Sequence, residues 1–150
     1  MSGHAVNCQR LKMRDAEEIY KEVEFNIEII ELPEKYNARC LDGSPYKFTI
    51  VKGYDEGINK FLIYFEGGGY CGSEIRPTTI IESCRKRALG NKGKSTSFIY
   101  EFTISRFMRL MSKKKKYNPT FYNWNKITIK YCDGMGHLSN LDKLDYFLEG

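Results

Sequence analysis

Three consecutive glycines, Gly67, Gly68 and Gly69, are the residues of this chain best suited to chemistry. They follow the apolar run FLIYF and Glu66, and they precede Tyr70 and Cys71. Glycine has no Cβ, so successive backbone amides can approach an anion and converge on it. One use of such a loop is an oxyanion hole, where amides stabilise the negative oxygen of a tetrahedral ester intermediate. The plainer outcome is a tight strand-to-helix turn that binds nothing, and three glycines alone favour it.

Other reactive types are present without a productive arrangement. Residues 88–95 (ALGNKGKS) fit a relaxed phosphate-loop pattern, with Lys94 and Ser95 in place but Ala88 where the strict pattern has glycine. That mechanism needs a buried strand feeding the loop. The preceding IIESCRKR reads as an amphipathic helix, so nucleotide binding is not expected. A Ser-His-Asp triad cannot be assembled, because no G-x-S-x-G occurs. Ser44 sits in a turn before Pro45 and Ser73 lies just past the glycines; neither follows a strand on a sharp elbow. His137 is close to Asp133, but a loop histidine is more often a solvated residue than a base. Cysteines occur at 8, 40, 71, 84 and 132. All could be free thiols, or the last four could form two disulfides with Cys8 left over. With no C-x-x-C and only His4 and His137, a zinc site has little support. No cofactor or metal is expected.

The elements that must position the glycines read as alternating strands and helices. Residues 14–24 (RDAEEIYKEVE) are helix-prone, with Glu17 and Lys21 paired across one turn. Residues 27–32 are a short apolar run ended by Pro33. Residues 1–36 thus form an N-terminal extension or first hairpin, and residues 37–150 the main domain. Strands are expected at 46–51, 60–65 and 126–131, and turns at 41–45 and 53–57. The unbroken run FLIYF predicts a buried strand. Helices are expected at 77–89, with Pro77 in the first turn and Gly90 after the end, and at 97–111. The alternation implies an α/β fold with a mostly parallel sheet and crossover helices. Ligands in such sheets gather at the carboxyl ends of strands, here 66–71 and 132–136.

Composition bounds the function class. The 150 residues are 41% hydrophobic and rich in aromatics, with eleven Tyr and nine Phe, which argues against disorder. Net charge is +5, but four of the positives sit at 113–116 as an expected solvated loop, so nucleic-acid binding is not inferred. No apolar run is long enough for a membrane helix, and no signal peptide is visible at the start.

Three segments together resemble the pectin acetylesterase/Notum family of carboxylesterases. CLDGSP at 40–45 is similar to the family's opening C-x-D-G-S-P. FLIYFEGGGYC at 61–71 resembles its strand and E-G-G-G-W-C. NPTFYNWN and ITIKYCDG, at 118–125 and 127–134, resemble its N-P-x-F-x-x-W-N and Y-C-D-G block. The resemblance implies an α/β-hydrolase-like fold, secretion, and hydrolysis of carboxylic esters such as acetylated polysaccharide. It implies oxyanion amides at Gly68 and Gly69, with Tyr70 in the substrate pocket where plant-type members have Trp. It also implies disulfides Cys40–Cys132 and Cys71–Cys84. In the family the nucleophile follows the Y-C-D-G block, in G-C-S-A-G-G, with Asp and His later still. YFLEG at 146–150 echoes the segment before it. This chain is therefore expected to be the N-terminal portion, to lack the triad, and to be inactive alone. The alternative is a remnant acting as a binding module.

Overall fold

The computed structural model describes residues 13–71, 77–95 and 106–138. Helix α1 spans Met13–Asn26, followed by strands β1 (Ile27–Glu31), β2 (Lys47–Val51) and β3 (Phe61–Phe65). Helix α2 (Pro77–Leu89), helix α3 (Arg106–Met111) and strand β4 (Asn125–Ile129) complete the order. Each lies where periodicity and turn chemistry place it, except that the helix expected at 97–111 is described only from Arg106. His4, Cys8, Ser73 and residues 146–150 also lie outside the described residues.

The sheet order is β1-β2-β4-β3. Among the described residues two pairings, β1 with β2 and β2 with β4, are antiparallel, and only β3 with β4 is parallel. The sheet is thus mixed, not mostly parallel as the strand–helix alternation suggested. Crossover helices are required only where neighbours run parallel. Here that is the single step from β3 to β4, which carries α2 and α3. β1 instead returns antiparallel to β2, with Ile27 opposite Val51, so residues 27–31 join the sheet.

The expectation of a buried β3 is also corrected. Phe61, Ile63 and Phe65 are each more than half exposed. Register puts them beside Asn125, Ile127 and Ile129 of β4. Cross-strand partners share a face; His137 packs edge-on against Phe65 there, while the β3 side chains of that face stay largely open to solvent among the described residues. β3 also stands at the sheet edge, so a sequence suited to two-sided burial meets solvent.

Among the described residues, packing is concentrated in two small clusters. Ile19 and Val23 of α1 meet Met111 and Tyr117. Leu41, Cys71, Cys84 and Ala88 form the second. The lysine run 113–116 is solvated as expected, with Lys114, Lys115 and Lys116 exposed, and its ammonium groups also reach α1 and nearby rings. Lys114 pairs with Glu18 at 2.7 Å and Lys116 donates to the Tyr117 hydroxyl at 3.0 Å. Lys113 and Lys115 lie 5.1 and 5.5 Å from the ring centres of Tyr54 and Tyr122, within cation–π range. Asparagine amides stitch the following loop: Asn118 Nδ2 donates to the Leu110 and Ser112 carbonyls, and Asn125 Nδ2 to those of Ile58 and Lys60.

Lys126 on β4 is completely buried. Its Nζ donates to the carbonyls of Ser112, Phe121 and Tyr122 at 2.9–3.2 Å. Burial lowers its pKa from 10.5 to about 8, opposed by the nearby Glu22 carboxylate. The unfolded chain therefore binds more protons than the folded one between these values, so stability rises with pH across that interval. Above pH 10 the opposite sign enters, because burial raises the Tyr46 phenol. We expect stability to climb between pH 8 and 10 by at most about 3 kcal/mol, and Lys126→Met to flatten the slope. Urea unfolding across that range checks it; an equal slope in the variant would assign the effect elsewhere.

Candidate oxyanion loop

β3 and β4 run parallel, so the loops 66–71 and 130–138 leave the sheet at the same carboxyl end. Hydrogen bonds lace them together. The Glu66 amide donates to Ile129 O at 2.9 Å, and the Cys71 amide to Gly134 O at 2.8 Å. Glu66 Oε2 accepts from the Tyr131 amide at 3.0 Å and lies 3.5 Å from Lys130 Nζ, an ammonium only 7% exposed. His137 Nε2–H donates to the Glu66 carbonyl at 2.8 Å. The imidazole packs edge-on against Phe65 and Tyr131, with ring centres 5.4 and 5.3 Å away. His137 is thus a packed loop anchor, not the solvated residue its position suggested. Its φ of 65° is the left-handed conformation that a non-glycine residue seldom adopts.

The carbonyls of Gly68, Gly69 and Tyr70 are engaged. Arg87 Nη1 donates to Gly68 O at 2.7 Å and Nη2 to Tyr70 O at 3.5 Å. The Tyr131 hydroxyl donates to Gly69 O and accepts from the Gly136 amide at 3.4 Å. Among the described residues, none accepts a hydrogen bond from the amides of Gly67, Gly68, Gly69 or Tyr70. Carbonyls held on one side leave the amides available on the other, the arrangement an oxyanion needs.

Two glycines here are required by geometry. A Cβ on Gly68 would lie 1.8 Å from Tyr131 Cδ1. Gly69 has φ +73°, where an L side chain is strained. By contrast, a Cβ on Gly67 would meet nothing within 4 Å. Tyr70 is 60% exposed, and its ring lies within 3.2 Å of where a Cβ on Gly136 would stand.

Both disulfides form: Cys40 with Cys132, and Cys71 with Cys84. The second ties the glycine loop to α2. Cys84 and Ala88 are buried on one face of that helix, and Arg87, three residues after Cys84, is on the same side. Ser44 is occupied elsewhere: its hydroxyl donates to Asp42 at 2.5 Å and accepts from the Ser95 amide at 3.0 Å. Ala88 and Leu89 are the last turn of α2, so a helix and not a strand feeds residues 88–95. Phosphate-loop geometry is absent there.

Arg87, Tyr131 and the Glu66 carboxylate were not singled out from sequence. The i,i+3 spacing of Arg87 from Cys84 was the available signal, but it acquires meaning only once Cys84 is bonded to the glycine loop.

The sequence profile of pectinacetylesterases matches residues 19–146. This chain belongs to the pectinacetylesterase family. It is 41% identical over 97 residues to pectin acetylesterase 4 of Arabidopsis thaliana, covering 65% of this chain and 21% of that protein. Pectin acetylesterase 7 of the same plant is 35% identical over 108 residues, covering 72% and 25%. The palmitoleoyl-protein carboxylesterase Notum of Schmidtea mediterranea is 28% identical over 104 residues, covering 68% and 18%. Among solved structures, the Wnt deacylase Notum from Drosophila aligns with a TM-score of 0.49 at 24% identity, covering 73% of this chain and 28% of that one. The chain thus spans about a quarter of the length of its pectin acetylesterase relatives. Among the described residues, no helix is long and apolar enough to cross a membrane.

Proposed function

We propose that this chain is the N-terminal, oxyanion-loop portion of a serine carboxylesterase that hydrolyses an O-acyl ester. The substrate class is an acetylated polysaccharide, and the setting is the secretory pathway or cell exterior, where the two disulfides persist. The reading rests on one observation above all. The glycine loop leaves the carboxyl end of a parallel strand pair with the carbonyls of Gly68 and Gly69 engaged and its amides without an acceptor among the described residues.

In the complete reaction a serine attacks the ester carbonyl, and histidine and aspartate assist. This chain supplies none of the three. Its part is electrostatic: the amides of Gly68 and Gly69 donate to the oxygen as it becomes an alkoxide, and Tyr70 lines the approach. A preorganised donor of this kind is worth about 3–4 kcal/mol of transition-state stabilisation.

Inorganic phosphate, a tetrahedral oxyanion, tests the loop directly. Titrated into ¹⁵N-labelled protein, it should shift the Gly68 and Gly69 amide signals in a saturable way. Shifts confined to the lysine-rich surface, with these two amides unmoved, would overturn the reading.

A further inference from the structure

We infer that Arg87 is a positioning residue for the glycine loop, acting through its carbonyls to aim its amides. This rests on the proposed oxyanion role of Gly68 and Gly69 and adds the device that prepares it. Each peptide unit is planar and trans, so its C=O and N–H point in opposite directions. Fixing a carbonyl therefore fixes the next residue's amide. Arg87 Nη1 holds Gly68 O at 2.7 Å, which orients the Gly69 amide. Tyr131 holds Gly69 O, which orients the Tyr70 amide. Arg87 Nη2, at 3.5 Å from Tyr70 O, closes the fork on the far side of the same turn.

The guanidinium is well placed to do this without moving. It lies over the Tyr131 ring, with Cζ 5.9 Å from the ring centre. Its helix is bonded to the loop through Cys84 and Cys71. The chain after α2 folds back so closely that a Cβ on Gly93 would stand 2.5 Å from Arg87 O. Backbone, helix and side chain of Arg87 are thus each constrained. Only arginine offers a planar fork with donors far enough apart to span two carbonyls. A lysine would keep the charge and lose the fork.

That difference makes the inference testable apart from simple charge attraction. In the full chain, Arg87→Lys and Tyr131→Phe are compared with wild type by two measurements. These are ¹⁵N backbone relaxation at residues 68–70 without ligand, and the phosphate titration. Arg87→Lys should loosen the Gly69 amide and Tyr131→Phe the Tyr70 amide, each having lost a hydrogen bond to the preceding carbonyl, and Arg87→Lys should bind phosphate about tenfold more weakly at Gly69. Unchanged relaxation and binding in Arg87→Lys would overturn the positioning role. If wild type ignores phosphate but both variants loosen the loop, positioning stands and the oxyanion reading fails. A variant that bound phosphate as wild type does despite a looser loop would sink the inference that loop order aims the amides.

Discussion

Removing the Cys40–Cys132 disulfide is expected to cost about 4–5 kcal/mol of stability, because the bond closes a loop of close to a hundred residues in the unfolded chain. The two cysteines are 92 positions apart, against 13 for Cys71 and Cys84, whose loss should cost about 3 kcal/mol on the same argument. The larger figure approaches the whole stability of an ordinary domain, about 5–15 kcal/mol. The local structure gives no reserve against it. Only two small clusters of buried apolar side chains are found among the described residues, and Phe61, Ile63 and Phe65 of β3 are each more than half exposed. Leu41, next to the first cysteine, donates its amide to Cys132 O, so the bond also fixes the turn of CLDGSP to the end of β4. Urea unfolding of the Cys40→Ala/Cys132→Ala double variant measures the effect. A loss below about 1 kcal/mol would mean that the unfolded chain is already held compact without the bond.

Gly68→Ala should have the largest effect on the loop itself. The new methyl would be placed 1.8 Å from Tyr131 Cδ1 and 2.2 Å from Cε1. That ring cannot yield freely. Its hydroxyl bonds Gly69 O, His137 packs edge-on against it, and the Arg87 guanidinium lies over it. Either the ring or the loop must shift by more than an ångström, at a cost of about 1–3 kcal/mol. The amides then lose their common direction, and phosphate binding at Gly69 should fall by about tenfold or more. Gly67→Ala is the matched comparison. Its Cβ meets open space and its φ is ordinary, so stability should change by less than about 1 kcal/mol and phosphate binding should persist. Equal tolerance of alanine at both positions would contradict the close approach of Tyr131 to the loop.

Much of the local structure was legible in the chain. Pro77 and Gly90 bracket α2, and the turn residues around 41–45 and 53–57 separate strands whose positions periodicity reveals. Strand direction was not legible, because alternation of element types says nothing about β1 and β2, which pair without a crossover. Burial of β3 was misread for a related reason. An apolar run records what a strand is suited to pack against, whereas exposure depends on its neighbours in space. The loop itself was visible as three glycines, and the resemblance to pectin acetylesterases gave them a chemical sense. What surrounds them was hidden. Arg87 looked like one cation among several in CRKR, and Tyr131 like the end of a strand. Both act across sequence gaps of 19 and 62 residues, which no local pattern encodes.

The exposed side chains of β3 have a consequence for the protein as a colloid. Among the described residues β3 is an edge strand, and an edge bearing Phe61, Ile63 and Phe65 is a template on which a second copy can extend the sheet. The opposing influence is the net charge of +5, which keeps copies apart only as far as the ionic atmosphere allows. That range is about 30 Å at 0.01 M salt and about 8 Å at 0.15 M. Low ionic strength is therefore expected to favour single molecules, and added salt their association.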